Sequence, residues 1–174
     1  PISSPYHKDI FVEIDSTLGL APSQSILDKI MNVFKAAPVE NPDHLHGINL
    51  HLMADDKDTG ISSYVVADGK SEIARARKTW FGTDCQRNSW NSVNILEAKK
   101  RVFRYCLLVD TIKGRPKQNV IGHTPSHVLG EASSDFVIAA GSILRRDFSD
   151  DQLADTLMHE LGHTLGLGHG GQDE

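Results

Sequence analysis

The chain has 174 residues, of which 39% are hydrophobic, and its 23 acidic and 18 basic side chains leave a formal net charge of -5. That length and apolar share suit one compact domain over residues 1–174 and are short for two independent ones. Basic residues are scattered apart from short clusters such as Lys99, Lys100 and Arg101, which gives no concentrated face for nucleic acid. The longest apolar stretches, 136–140 and 106–109, are far below the roughly 18 residues that span a bilayer.

The first residue is Pro1 and no Met precedes Met31, so the start reads as one from which an upstream segment has been removed or left out. Residues 9–15 form a β-branched and aromatic run bounded by polar residues, which predicts a strand. Pro22 and Ser23 then open a helix carrying Ile26, Ile30, Val33 and Phe34 at helical spacing before Pro38. Residues 47–53 alternate apolar and polar side chains, a second strand.

Residues 55–60 are acidic and turn-prone, a solvated turn rather than a calcium loop, because the 12-residue ligand pattern and its terminal glutamate are missing. Between residues 71 and 101 the spacing of Trp90, Val93 and Leu96 predicts one or two helices, with Trp80, Phe81 and Trp90 as packing residues. Residues 102–109 leave little polar surface and read as a buried strand. A Gly- and Pro-containing loop follows over 113–134, with an edge strand near Val120 and Ile121, before a further strand at 135–139.

Cys85 and Cys106 lack the C-x-x-C spacing of a zinc knuckle. In an exported protein the pair is expected to form one disulfide, with two free thiols as the alternative.

The last helix is the best defined. Ser149 is its expected N-cap, Gln152 completes a capping box, and Asp150 and Asp151 favour the positive end of the helix dipole. Leu153, Leu157 and Leu161 recur every four residues and should face the core. Gly166 stops the helix.

His159 and His163 are four residues apart on this helix, about one turn, so both imidazoles leave the same face and can share a metal ion. Glu160 follows His159 directly, placing its carboxylate beside the metal as a proton acceptor rather than a ligand. His169 is too far along a continuous helix to meet the same ion, but a sharp turn at Gly166 would bring it back as a third ligand. Three neutral imidazoles leave one tetrahedral position open, the pattern of a catalytic Zn2+ site. The expected chemistry is peptide-bond hydrolysis by a zinc-bound water that Glu160 activates, with no covalent intermediate.

His159, Glu160, His163, Gly166 and His169 together fit the long signature H-E-x-x-H-x-x-G-x-x-H, and through it the sequence resembles the metzincin clan of zinc metallopeptidases, in particular its microbial secreted members. The five-position match is far more specific than H-E-x-x-H alone. The resemblance implies an α/β (α+β) fold, the metzincin-like N-terminal subdomain: a twisted mixed five-stranded sheet, a backing helix and an active-site helix. It also implies secretion, a polypeptide substrate, and an antiparallel edge strand lining the cleft, expected over 128–133.

Metzincins carry a methionine turn after the third histidine. The chain ends at Glu174, and Met158, which precedes the first ligand, does not replace that turn. The sequence therefore reads as truncated after the third ligand, with a C-terminal continuation or a second chain completing the cleft. A non-catalytic zinc-stabilised binding or inhibitory domain, or a processed fragment inactive alone, are the alternative readings. His44, His46 and His51, and separately His123 and His127 with Asp135 beyond, are more readily hydrogen-bonded or exposed histidines than a second metal site.

Overall fold

A computed structural model describes residues 3–114, 119–125, 135–145 and 150–169. The chain begins with β1 (Asp9–Ser16), α1 (Gln24–Lys35) and β2 (Asn49–Ala54), followed by β3 (Ser63–Val65). Three helices come next, α2 (Gly69–Trp80), α3 (Asp84–Arg87) and α4 (Ser92–Lys100). The strands β4 (Phe103–Leu108), β5 (Thr111–Lys113), β6 (Asn119–Val120), β7 (Gly122–His123) and β8 (Asp135–Ile138) precede α5 (Ala140–Leu144) and α6 (Asp150–Thr164).

The main sheet has five strands in the order β2-β1-β4-β8-β7. Its first four are parallel, and β7 runs antiparallel to β8, with Gly122 opposite Ile138 and His123 opposite Val137. β3, β5 and β6 form a second, smaller sheet. The fold is therefore mixed α/β with a mixed five-stranded sheet, as the sequence led us to expect.

Period-two alternation sorts the strand residues onto two faces. On one face Ile10, Val12, Ile14, Leu50, Cys106, Leu108, Phe136 and Ile138 pack against Ile26, Leu27 and Ile30 of α1 and Leu153, Leu157 and Leu161 of α6. On the other, Tyr105, Leu107 and Val137 meet Tyr64, Ile73, Ala76 and Phe81. Cover on both faces explains why Tyr105 to Leu108 read as a continuous apolar run.

Ser23 caps α1, its Oγ accepting from the Ile26 N–H at 3.4 Å, while Val33 faces solvent instead of joining the apolar stripe. The acidic turn after β2 is tied to β1: Ser16 N–H donates to the Asp56 carbonyl at 2.8 Å and Asp56 N–H to Asp15 Oδ1 at 3.1 Å.

Two expectations are corrected. The 71–101 region holds three helices rather than one or two, and Trp90, 96% exposed, and Val93, 73% exposed, face solvent rather than the core. The inward residues of α4 are Leu96 and Lys99; the Lys99 ammonium pairs with buried Glu13 and lies 5.0 and 4.9 Å from the Phe81 and Phe103 ring centres. The two cysteines are free: Cys106 is fully buried among the core side chains of the main sheet, whereas Cys85 is exposed on α3. A core strand and a surface helix hold the two sulfurs apart.

Candidate metal centre

α6 lies on the sheet through Leu153, Ala154, Leu157 and Leu161, all at most 2% exposed. This anchoring turns its His159–His163 edge toward the open end of the sheet beside β7. The expected cap Ser149 lies outside the described residues, as does the C-terminal segment from Gly170.

The helix ends in a left-handed glycine turn. Gly166 has φ +86°, its N–H donates to the His163 carbonyl at 3.0 Å, and the Leu167 N–H donates to the Gly162 carbonyl at 3.1 Å. This pair of bonds is the Schellman arrangement, which needs a positive φ that glycine adopts without strain. It reverses the chain so that His169 returns over the face from which it would otherwise have been carried away.

The result is a triangle of imidazole nitrogens. The Nε2 atoms of His159 and His163 are 3.0 Å apart, those of His159 and His169 3.1 Å, and those of His163 and His169 3.2 Å. Tetrahedral zinc with bonds of about 2.0–2.1 Å sets its ligand nitrogens about 3.3 Å apart, so the triangle fits one such ion. His163 Nδ1 lies 2.7 Å from the Leu167 carbonyl oxygen. A carbonyl can only accept, so Nδ1 carries the proton and Nε2 keeps its lone pair for a metal. Among the described residues, these three form the only group of three or more His, Cys, Asp and Glu side chains able to hold a metal ion.

Glu160 points away from the triangle's ligand positions toward β7 and is only 6% exposed. Thr124 Oγ1 donates to Glu160 Oε2 at 2.7 Å and lies 3.2 Å from the Glu160 carbonyl oxygen. A Cβ on Gly122 would stand 2.3 Å from Glu160 Oε1 and 2.6 Å from its Cγ, so only glycine admits the carboxylate there. The three histidines and Glu160 share an open cleft of about 790 Å³ that runs between α6, with Asp151 and Asp155, and the 120–124 segment.

All four residues expected from the sequence are thus brought together. An antiparallel edge strand borders the cleft at Gly122–His123; the 128–133 stretch, where the cleft-lining strand was expected, lies outside the described residues. Gly122 and Thr124 were not foreseen as site residues. A glycine closing a β-branched pair, Val120 and Ile121, was the available signal, since glycine at a strand end marks a close approach by another group.

The other histidines serve elsewhere. His51 Nε2 lies 2.7 Å from Asp9 Oδ1 and its ring stacks on Phe11, holding the Asp9 carboxyl below the usual carboxylate range despite the opposing effect of burial. His123 Nδ1 lies 3.0 Å from the Tyr64 hydroxyl. His44 has a left-handed backbone, φ +62°, in the turn before β2, and His127 lies outside the described residues.

No known protein-family model matches the chain, and no curated protein matches it. No helix among the described residues is long and apolar enough to cross a membrane.

Proposed function

We propose that this protein is a zinc-dependent endopeptidase of metzincin type that acts on extended polypeptide, as a secreted enzyme. The observation that carries the reading is the juxtaposition of three Nε2 atoms 3.0 to 3.2 Å apart with a nearly buried carboxylate, Glu160, in one open cleft.

His159, His163 and His169 would hold the zinc. When bound, zinc polarises a carbonyl and acidifies water, the Lewis-acid chemistry that amide hydrolysis requires. Three protein ligands suit that role, because a catalytic site keeps one position open where a structural site closes all four. Glu160 accepts the proton of the attacking water and delivers it to the leaving amine, as a general base turned general acid. Among the described residues that line the cleft there is no serine or cysteine, and a carboxylate-assisted water attack needs neither. β7 borders the cleft as an edge strand, the element along which an extended peptide chain can lie with its backbone aligned.

The test is cleavage of a denatured protein or a quenched peptide by the full-length protein, with and without a chelator, beside the Glu160→Ala variant. Loss of cleavage in both arms, with zinc restoring the chelated enzyme, is expected. Activity that survives chelation and the substitution would overturn the assignment. Zinc that raises thermal stability without turnover by the full-length form would point to a non-catalytic zinc domain.

A further inference from the structure

We propose that Thr124 and Gly122 are positioning residues for Glu160: the Thr124 hydroxyl pins one carboxylate oxygen, and the bare backbone of Gly122 gives the other oxygen its seat. The proposal rests on the reading of Glu160 as the general base and adds the residues that set its orientation.

A glutamate side chain rotates about three bonds, and two of its rotamer families beside a metal have opposite consequences. In one the carboxylate faces an attacking water. In the other it swings onto the metal and fills the position that has to stay open. Glu160 is adjacent in sequence to His159, so chain connectivity alone leaves both within reach. Something outside α6 must select between them.

Residues 122 and 124 share a face of the edge segment by the two-residue period of extended chain. On that face, Gly122 leaves a space that a Cβ would fill to within 2.3 Å of Oε1 and 2.7 Å of the Glu160 Cδ. Thr124, 3% exposed, supplies a hydroxyl proton. Its 2.7 Å distance to Oε2 and 3.2 Å distance to the Glu160 carbonyl assign that proton to the carboxylate, the nearer and charged acceptor. Oε2 is thereby engaged by the hydroxyl while Oε1 rests against the Gly122 backbone, so both oxygens are fixed by the edge strand rather than by α6.

The intervening residue holds the segment at its height. His123 addresses the opposite face, where its Nδ1 lies 3.0 Å from the hydroxyl of Tyr64, a side chain that is 1% exposed and packed in the second core. The two contacts grip the edge strand from both sides, so a shift of β7 would move the Glu160 carboxylate with it. Misplacement of a reacting group by about 1 Å can cost on the order of 100-fold in rate.

The experiment compares wild type, Thr124→Val, Thr124→Ser, Gly122→Ala and Glu160→Gln in the full-length protein. It measures kcat and KM on a quenched peptide, bound zinc, thermal midpoint, and the Glu160 side-chain conformation by crystal structure or by 13Cδ-labelled glutamate NMR. The expected result for Thr124→Val is a fall in kcat of about 10- to 100-fold with KM within about threefold, unchanged zinc content and midpoint, and a Glu160 side chain released from Gly122. Thr124→Ser should return kcat to within about threefold, and Gly122→Ala should displace the carboxylate while zinc is retained.

Wild-type kcat in Thr124→Val overturns the proposal. So does a loss that tracks zinc content or thermal midpoint and that serine does not restore. If wild type and Glu160→Gln are equally inactive, the base reading itself fails. In that case an unchanged Glu160 conformer in Thr124→Val also overturns the positioning role, and a released one upholds it.

Discussion

His163 Nδ1 and the Leu167 carbonyl oxygen lie 2.7 Å apart across the turn that Gly166 makes. One hydrogen bond therefore fixes the protonation pattern of a metal ligand and ties it to the turn that delivers the next ligand, His169. Gly166→Ala places a Cβ in a left-handed conformation, a cost of about 1–2 kcal/mol, which the loop can escape only by moving His169. The expected outcome is roughly tenfold weaker zinc binding, measured by competition with a chromophoric chelator. Gly166→Asn should fall between wild type and alanine, because Asn tolerates this conformation better.

Zinc binding should stabilise the fold by linkage. At a free zinc concentration about 100 times Kd, the native state gains about 2.7 kcal/mol if the unfolded chain binds none. A chelator should remove that increment, and His163→Ala should abolish it. Paired urea titrations with and without zinc check both.

The buried carboxyl of Asp15 gives a pH dependence of definite sign. Burial raises its pKa from 3.8 to about 7, assisted by the charge of Glu13 and opposed by the Asp56 N–H. The folded state therefore binds a proton more tightly than the unfolded state. Its contribution to stability is fully present below about pH 4 and is lost as pH rises through about 7. Asp15→Asn keeps an acceptor for the Asp56 N–H and removes the ionisation. Its stability relative to wild type should rise by up to a few kcal/mol between pH 4 and pH 8, since each tenfold difference in proton affinity between the two states corresponds to about 1.4 kcal/mol. Urea midpoints across that range decide it; a constant difference would contradict the raised pKa.

Leu157 is completely buried between α6 and the sheet. Leu157→Ala removes buried methyl groups and leaves a cavity, a loss of about 2–5 kcal/mol. Because the same helix carries His159 and His163, the loss should appear both in the urea midpoint and in weakened zinc affinity.

The thiols can be counted directly. Ellman's reagent should titrate one cysteine in the native protein, exposed Cys85, and two after denaturation, since burial raises the Cys106 thiol pKa and excludes the reagent. Reducing agent should leave the thermal midpoint unchanged.

Much of this molecule was legible in advance. β1 and β8 follow from local runs of β-branched and aromatic residues, β2 from apolar–polar alternation, β4 from its scarcity of polar surface, and α6 from leucines at four-residue spacing. The misplacements share one cause. Trp90 and Val93 have helical spacing, but spacing reports only that a face exists, and α4 turns Leu96 and Lys99 inward instead. Cys85 and Cys106 look like a pair by number alone, although pairing depends on distance.

By itself the sequence determined the metal-binding candidates and the carboxylate, because an α-helix converts a four-residue interval into a shared face and glycine converts the next interval into a reversal. Those are local rules, written within eleven consecutive residues from His159 to His169. The tertiary structure alone decided what surrounds Glu160. Thr124 lies 36 positions away along the chain, and Gly122 and Thr124 meet the helix only because β7 adds antiparallel to β8 at the sheet edge where α6 packs. No periodicity within either segment encodes that meeting; it follows from burying the leucine face of α6 on the sheet.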